Sequence, residues 1–286
     1  MVRHDAGKTT VAEGLLRSAL ERGLDAAFSK PLGAFNAWYQ FEVLLESAKL
    51  GVLAGEDLLR LHRASRSSRP IEVEGPVAGL VAPPDPEAVE WRLTLYEALA
   101  SSVEWQLALL RLTRCPGLSS SSPSSLYLVS RRALSRTTPS IREAVEELVS
   151  SCGVRAVEVE QGELSRILAE EGPAVAEECL GAIEAEGPDL LLIESFNDAV
   201  APTRSSLRAD AVVLVAPGRA VVVGGRDYAN ASEAAGASSR PWASSTGRVA
   251  PLLRRAASVE VEPTLKSSAW ADEILDSALS VSGKRF

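Results

Sequence analysis

The predicted fold depends on one short stretch near the start of the chain, His4-Asp5-Ala6-Gly7-Lys8-Thr9-Thr10. A glycine at position 7 lets the backbone curl so that successive N–H groups point inward at an anion. Lys8 adds a positive charge, and the Thr9 hydroxyl can act as a ligand for Mg²⁺. Apolar residues then recur at helical spacing through residues 11–20. The stretch therefore predicts an anion-binding loop that opens a helix, because free N–H groups and the helix dipole both favour negative charge there.

This loop matches the second half of the P-loop motif, G-x-x-x-x-G-K-[ST], which binds nucleotide phosphates. The predicted nucleotide-binding residues are Asp5, Ala6, Gly7, Lys8, Thr9 and Thr10. The first glycine of the motif would fall where Val2 stands, and the strand that normally precedes the loop is missing or truncated. Two interpretations stay open: the chain starts late, or the loop has degenerated and nucleotide binding is impaired. We favour the late start, because chance does not readily place such a loop before an amphipathic helix.

Composition places the chain among ordinary globular proteins. It has 286 residues, of which 46% are apolar and 24% charged, enough for one α/β domain with an insertion or for two domains. The formal net charge of −8 argues against a general nucleic-acid or anionic-membrane surface. No apolar run approaches the ~20 residues of a membrane span, and no secretory signal precedes the loop. We therefore expect a cytoplasmic protein without a nucleic-acid or membrane partner.

The cysteines and histidines give no metal signature. Cys115, Cys152 and Cys179 are far apart and form no C-x-x-C pair, which favours packed or surface thiols over a zinc site or a disulfide set. His4 and His62 are too few for a multi-histidine site.

Two charged residues stand at the ends of predicted strands. Lys30 follows the short strand at residues 25–29, and Glu194 closes the apolar strand at residues 189–194. Ligands bind at the carboxyl ends of strands in open parallel sheets, and Mg²⁺ needs an acidic residue there. We therefore predict Thr9 and Glu194 as magnesium ligands, and Lys30 as a residue that contacts the ligand. The alternatives are a solvated cap for Lys30 and a strand-capping carboxylate for Glu194.

The remaining pattern predicts an α/β fold with a mostly parallel sheet flanked by helices. Residues 211–216 are all apolar, as is typical of a parallel strand buried on both faces. Residues 36–112 predict a largely helical insertion into a single domain that spans residues 1–286. Within this stretch, the patterns of residues 36–61 and 87–112 predict helix, and the basic, serine-rich residues 60–69 predict a solvated loop.

Taken in order, these features resemble the dethiobiotin synthetase-like and MinD-like branch of P-loop NTPases. The features are Gly7-Lys8-Thr9-Thr10, Lys30-Pro31, the apolar strand to Glu194, and the strand at 212–216 followed by Pro217-Gly218. In the synthetases of this branch, a V-E-G-A-G loop follows the strand that carries the acid. Here Ser195-Phe196-Asn197 stand in place of G-A-G, so the substrate is not carried over. The chain also resembles uncharacterised archaeal P-loop ATPase/GTPase proteins.

The resemblance implies a set of roles. Lys8 and the loop N–H groups would bind the β- and γ-phosphates of ATP (or GTP), Thr9 and Glu194 would hold Mg²⁺, and Lys30 would offset charge on the transferring phosphoryl group. An unidentified small molecule would be the substrate, and a homodimer is one option. The loop also matches the end of the translational GTPase motif. The chain has no N-K-x-D for guanine, so we reject that class and lean towards ATP.

Two classes of function therefore compete. The first is an enzyme, either a Mg²⁺-dependent ATPase or an ATP-dependent ligase. The second is a degenerate P-loop protein that acts as a non-catalytic binding or scaffold module, for which Val2 and the absent first strand are the support.

Overall fold

Helices and strands alternate along the chain in a computed structural model that describes residues 6–116, 122–160, 162–262 and 269–283. By its internal contacts the chain divides into two compact units. Unit 1 comprises residues up to Pro31, the segment Arg60–Ser68 and the residues from Ile183 onward. Unit 2 comprises Leu32–Leu59 and Arg69–Ala182.

The described helices are α1 (Lys8–Glu21), α2 (Phe41–Leu50), α3 (Glu56–Ser65), α4 (Ile71–Glu74), α5 (Leu93–Ala100), α6 (Val103–Gln106), α7 (Arg131–Leu134), α8 (Pro139–Ser151), α9 (Glu163–Glu170), α10 (Gly172–Ala185), α11 (Gly225–Ala234) and α12 (Ala269–Ser282). The described strands are β1 (Ala26–Ser29), β2 (Leu32–Asn36), β3 (Val77–Val81), β4 (Leu107–Arg114), β5 (Ser124–Val129), β6 (Val157–Glu158), β7 (Leu190–Ile193), β8 (Ala211–Ala216), β9 (Arg219–Gly224) and β10 (Ala257–Glu260). Short 3₁₀ turns lie at Glu87–Val89, Ser205–Arg208, Pro241–Ala243, Thr246–Arg248 and Ala250–Leu252.

Helix α1 begins immediately after the predicted loop. Gly7 precedes it in the left-handed conformation, with φ of 86°, where a residue without a side chain is favoured. Helix α12 packs along α1 in unit 1, and a Cβ atom at Gly14 would lie 2.5 Å from the Trp270 ring. Asp272 of α12 accepts a hydrogen bond from the Ser18 hydroxyl and pairs with Arg22, which follows α1. The hydrogen bond from Ser18, and then the contact with Arg22, hold the pKa of the Asp272 carboxyl below its ordinary value.

A short parallel pair of strands lies beneath α1. Strand β1 pairs with β7 in parallel, and Ser29 is in register with Ile193. The next residue of each strand is therefore at the same edge, which brings Lys30 alongside Glu194. Both strands contact α1.

The strand at 211–216 was predicted to belong to a mostly parallel sheet, and this prediction is wrong. Strand β8 forms an antiparallel hairpin with β9, and β10 adds to β9 in an antiparallel direction. The connection is the two-residue turn Pro217-Gly218, with Gly218 at φ of 75°. Strand β8 is half-buried along its whole length rather than buried on both faces.

Unit 2 contains a mixed sheet of five strands in the order β2-β3-β4-β5-β6. The two outer pairings are parallel and the two central pairings are antiparallel. The two-stranded β1–β7 pair is thus the one wholly parallel sheet among the described residues. The chain is α/β, but the prediction of a mostly parallel sheet does not hold.

The stretch predicted as a largely helical insertion contains helices α2–α6, and it also supplies strand β3 and most of β4. Residues 107–112 were predicted as helix and are strand instead. The fully buried Arg111 lies in β4, where it donates to the carbonyl oxygens of Leu53 and Gly75 at 3.1 and 2.7 Å. Burial lowers the pKa of its guanidinium. These carbonyl contacts satisfy a charge that would otherwise be costly to bury.

Cys115 and Cys179 form a disulfide in unit 2, and Cys152 is a free thiol. The prediction that the cysteines are unpaired is therefore wrong for two of the three. The two partners lie 64 residues apart in sequence, at the end of β4 and within α10, and no local spacing signals such a pair.

No helix in the described part of the chain is both long enough and apolar enough to cross a membrane.

Candidate functional site

Three of the predicted site residues meet through direct hydrogen bonds. The Thr9 hydroxyl donates to Oε1 of Glu194 at 3.0 Å, and Lys30 Nζ donates to the same oxygen at 2.7 Å. Thr9 comes from the first turn of α1, Lys30 follows β1 and Glu194 follows β7. All three residues are buried. The structure thus brings a hydroxyl, an ammonium and a carboxylate together beside the start of a helix.

The start of α1 supplies anion-binding groups at the same place. The first N–H groups of an α-helix have no intrahelical acceptor, and here the N-cap residue, Gly7, has no side chain to cap them. The first turn is closed by Val11, whose N–H donates to the carbonyl oxygen of Gly7 at 3.0 Å. Lys8 is half-buried in this turn, Ala6 is buried before it, and Asp5 lies outside the described residues.

Glu194 carries an oxygen that is buried without a partner. Its Oε2 atom finds no hydrogen bond among the described residues, whereas Oε1 accepts two. The whole residue is 5% exposed. An unpaired carboxylate oxygen in such a place is costly, so Oε2 is the candidate atom for a ligand.

A magnesium ion fits this donor set if phosphate oxygens and water complete its shell. In the part of the chain that the structure describes, no group of three or more His, Cys, Asp and Glu side chains could hold a metal. Mg²⁺ commonly uses only one or two protein oxygens together with substrate phosphates. Thr9 and Glu194 provide that number. Lys30 competes with a metal for Oε1 but leaves Oε2 available.

Arg60 lies in the same region, although the basic, serine-rich composition of residues 60–69 predicts a solvated loop there. Helix α3 continues through this residue, so that prediction is wrong for residues 60–65. Arg60 Nη2 donates to the Thr10 hydroxyl at 3.3 Å and to Oε2 of Glu13 at 2.8 Å. Acidic residues in the first turn of α3 and basic residues in its last turn were the available signal for a helix.

The loop after Glu194 is fixed at its far end. Asp198 accepts a hydrogen bond from the Ser245 hydroxyl at 2.6 Å, and its carbonyl oxygen accepts one from the N–H of Thr246. Asn197 has a left-handed backbone, with φ of 45°, and is exposed. Asp198 thus anchors the loop, and its side chain is not part of the Thr9–Lys30–Glu194 cluster.

Comparison with known proteins does not assign the chain to any family. No family model matches the chain, and no curated protein and no solved structure matches it either. The function must therefore be argued from this site alone.

Proposed function

We propose that the chain binds a nucleoside triphosphate, ATP in preference to GTP, with Mg²⁺ at the start of α1, and that it hydrolyses the nucleotide or uses it for ligation or phosphoryl transfer. The observation that carries the proposal is the buried, unpaired Oε2 of Glu194, whose other oxygen, Oε1, accepts a hydrogen bond from Thr9 at the N-terminus of a helix. The resemblance to the dethiobiotin synthetase-like and MinD-like branch adds support from the order of the motifs.

Each residue has a role that follows from its position. The first N–H groups of α1 and the ammonium of Lys8 bind the phosphates. Thr9 and Glu194 hold Mg²⁺, which when bound neutralises charge that develops on the phosphate oxygens. Lys30 orients Glu194 through the 2.7 Å contact, and it adds positive charge beside the transferring group. Catalysis would be positioning and electrostatic stabilisation rather than covalent chemistry by the protein.

Isothermal titration with Mg·ATP and Mg·GTP tests the proposal. We expect the wild-type chain to bind ATP more tightly, and Lys8→Ala to abolish binding. Lys49→Ala is the matched control, because it removes an exposed lysine from the last turn of α2. Glu194→Gln should reduce the gain in affinity that Mg²⁺ provides. No heat with either nucleotide, also after any natural upstream residues are restored, would contradict the proposal and favour a binding or scaffold module.

Hydrolysis assays distinguish the two kinds of enzyme. A ligase should release little phosphate until its small-molecule substrate is added. A MinD-like ATPase should hydrolyse ATP slowly alone and should change its homodimerisation with nucleotide, which size-exclusion chromatography would measure.

A cytoplasmic location is part of the same proposal. The Cys115–Cys179 disulfide stands against it, since disulfides are rare in reducing compartments. Alkylation of free thiols in freshly lysed cells tests the point. One labelled cysteine would contradict a reducing location, and three would agree with it.

A further inference from the structure

Arg60 lies against the first two turns of α1 through two contacts. Its Nη2 atom donates to the hydroxyl of Thr10 and to the carboxylate of Glu13. Both described contacts use the same nitrogen, while a guanidinium carries five N–H donors in a rigid fork. The side chain is 31% exposed, so part of it faces solvent.

The carboxylate of Glu13 is shared between two arginines. Its Oε1 atom binds Arg17 at 2.6 Å, and its Oε2 atom binds Arg60 at 2.8 Å. Two guanidinium groups against one carboxylate leave a net positive charge. Glu13 therefore fixes the position of Arg60 without cancelling the cationic character of this side of α1.

The hydroxyl groups of Thr9 and Thr10 make their contacts on two different sides of the start of α1. Neighbouring residues of an α-helix point about 100° apart. Thr9 meets the carboxylate of Glu194, and Thr10 meets the guanidinium of Arg60. An anion at the first turn would thus have a carboxylate that suits a metal on one side and a guanidinium on the other.

We infer that Arg60 is a second cationic ligand of the bound phosphate chain, and that it contacts the phosphates nearest the nucleoside. This inference rests on the proposed function. If Mg²⁺ joins Glu194 to the terminal phosphates, the remaining phosphates extend away from Glu194, and Arg60 is the cation placed on the Thr10 side. Guanidinium forms paired hydrogen bonds with phosphate oxygens that an ammonium cannot reproduce.

Titration of ADP without metal isolates this contact, because ADP lacks the γ-phosphate and the assay lacks Mg²⁺. Arg60→Met removes the charge and keeps the aliphatic part of the side chain. We expect it to weaken ADP and Mg·ATP binding by about 10- to 100-fold, as for the loss of a hydrogen bond to a charged group. Arg60→Lys should recover part of the affinity, because it keeps the charge without the fork.

Arg17→Met is the matched control. Arg17 binds the same carboxylate but lies one turn farther along α1 and is 48% exposed. We expect its affinity for ADP to stay within about threefold of wild type, since exposed ion pairs contribute little. Circular dichroism and thermal melting of all variants establish that they fold. If Arg60→Met fails to fold, Arg60→Lys against wild type replaces it, with a loss of affinity expected for the lysine.

The outcomes separate the two claims. Wild-type binding that is lost in Lys8→Ala but unchanged in folded Arg60→Met or Arg60→Lys would overturn the role of Arg60 and leave the proposed function intact. An equal loss in Arg17→Met would also overturn it, because the effect would then come from Glu13. Absence of any nucleotide binding by the wild type would overturn both claims.

Discussion

The ion pair between Lys30 and Glu194 gives the sharpest test of the site before any nucleotide is added. The two side chains are 8% and 4% exposed, and Nζ lies 2.7 Å from Oε1. At an effective dielectric constant of 20, charges at that separation attract by about 6 kcal/mol. Removing either ion from water costs several kcal/mol. The pair as a whole is therefore close to neutral for stability, but each partner depends strongly on the other.

Single replacements should consequently cost more than a double replacement. Lys30→Met leaves a buried carboxylate without its cation, and Glu194→Met leaves a buried ammonium without its anion. We expect each single variant to lose about 3–5 kcal/mol from the local stability of β1 and β7. The double variant replaces both ions with apolar groups, and it should lose less than either single variant.

Hydrogen exchange followed by mass spectrometry measures this effect in peptides that cover β1 and β7, over a range of urea concentrations. A local measurement is needed because the chain has two compact units, so that one global free energy of unfolding is not defined. Glu146→Gln is the control. It removes an exposed pair with Arg131 at 3.8 Å, and it should change stability by less than about 1 kcal/mol. A double variant whose loss equals the sum of the two single losses would refute the reasoning.

Three further predictions concern α1 and its neighbours. Gly14→Ala should lower the local stability of α1 by about 1–3 kcal/mol, because its Cβ would meet the Trp270 ring. Gly181→Ala, whose Cβ meets nothing within 4 Å, should raise the local stability of α10 by about 0.5–1 kcal/mol. Hydrogen exchange in peptides that cover α1 and α10 measures both effects. Gly7→Ala should cost about 1 kcal/mol and weaken nucleotide binding, since its φ of 86° disfavours a side chain. The pKa of Asp272 is lowered in the folded state. The ionised carboxylate therefore stabilises the fold above its unfolded-state pKa, and this stabilisation is lost as the pH falls through its folded-state pKa. Acid titration of stability should therefore show a loss below about pH 4 that Asp272→Asn removes.

The convergence of Lys30 and Glu194 could be predicted because it depends on strand ends alone. Two parallel strands that pair in register must end at the same edge of their sheet. The register of Ser29 with Ile193 then makes the next two residues neighbours. Thr9 was predictable for a similar reason, since the loop and the helix after it are local features of the sequence.

The direction of β8 could not be read from its composition. An apolar run of six residues suits a parallel strand, but it also suits a half-buried strand in a hairpin. The turn residues Pro217-Gly218 were the better signal, because a two-residue connection can join only antiparallel strands. No such signal existed for the Cys115–Cys179 pair. The two cysteines are 64 residues apart in sequence, and only the folding of the chain brings them together.

Arg60 was not among the predicted site residues, because its contact with α1 depends on how distant parts of the chain pack. The serines and arginines that follow it suggested a loop, yet α3 continues to Ser65, and the left-handed Arg66 comes directly after it, with φ of 52°. The contact of Arg60 with Thr10 joins residues 50 positions apart. No periodicity relates them, because the contact depends on where α3 lies against α1. Glu13 on α1 gave no clear clue either, because Arg17, one turn along the same helix, already supplies a cation for its carboxylate.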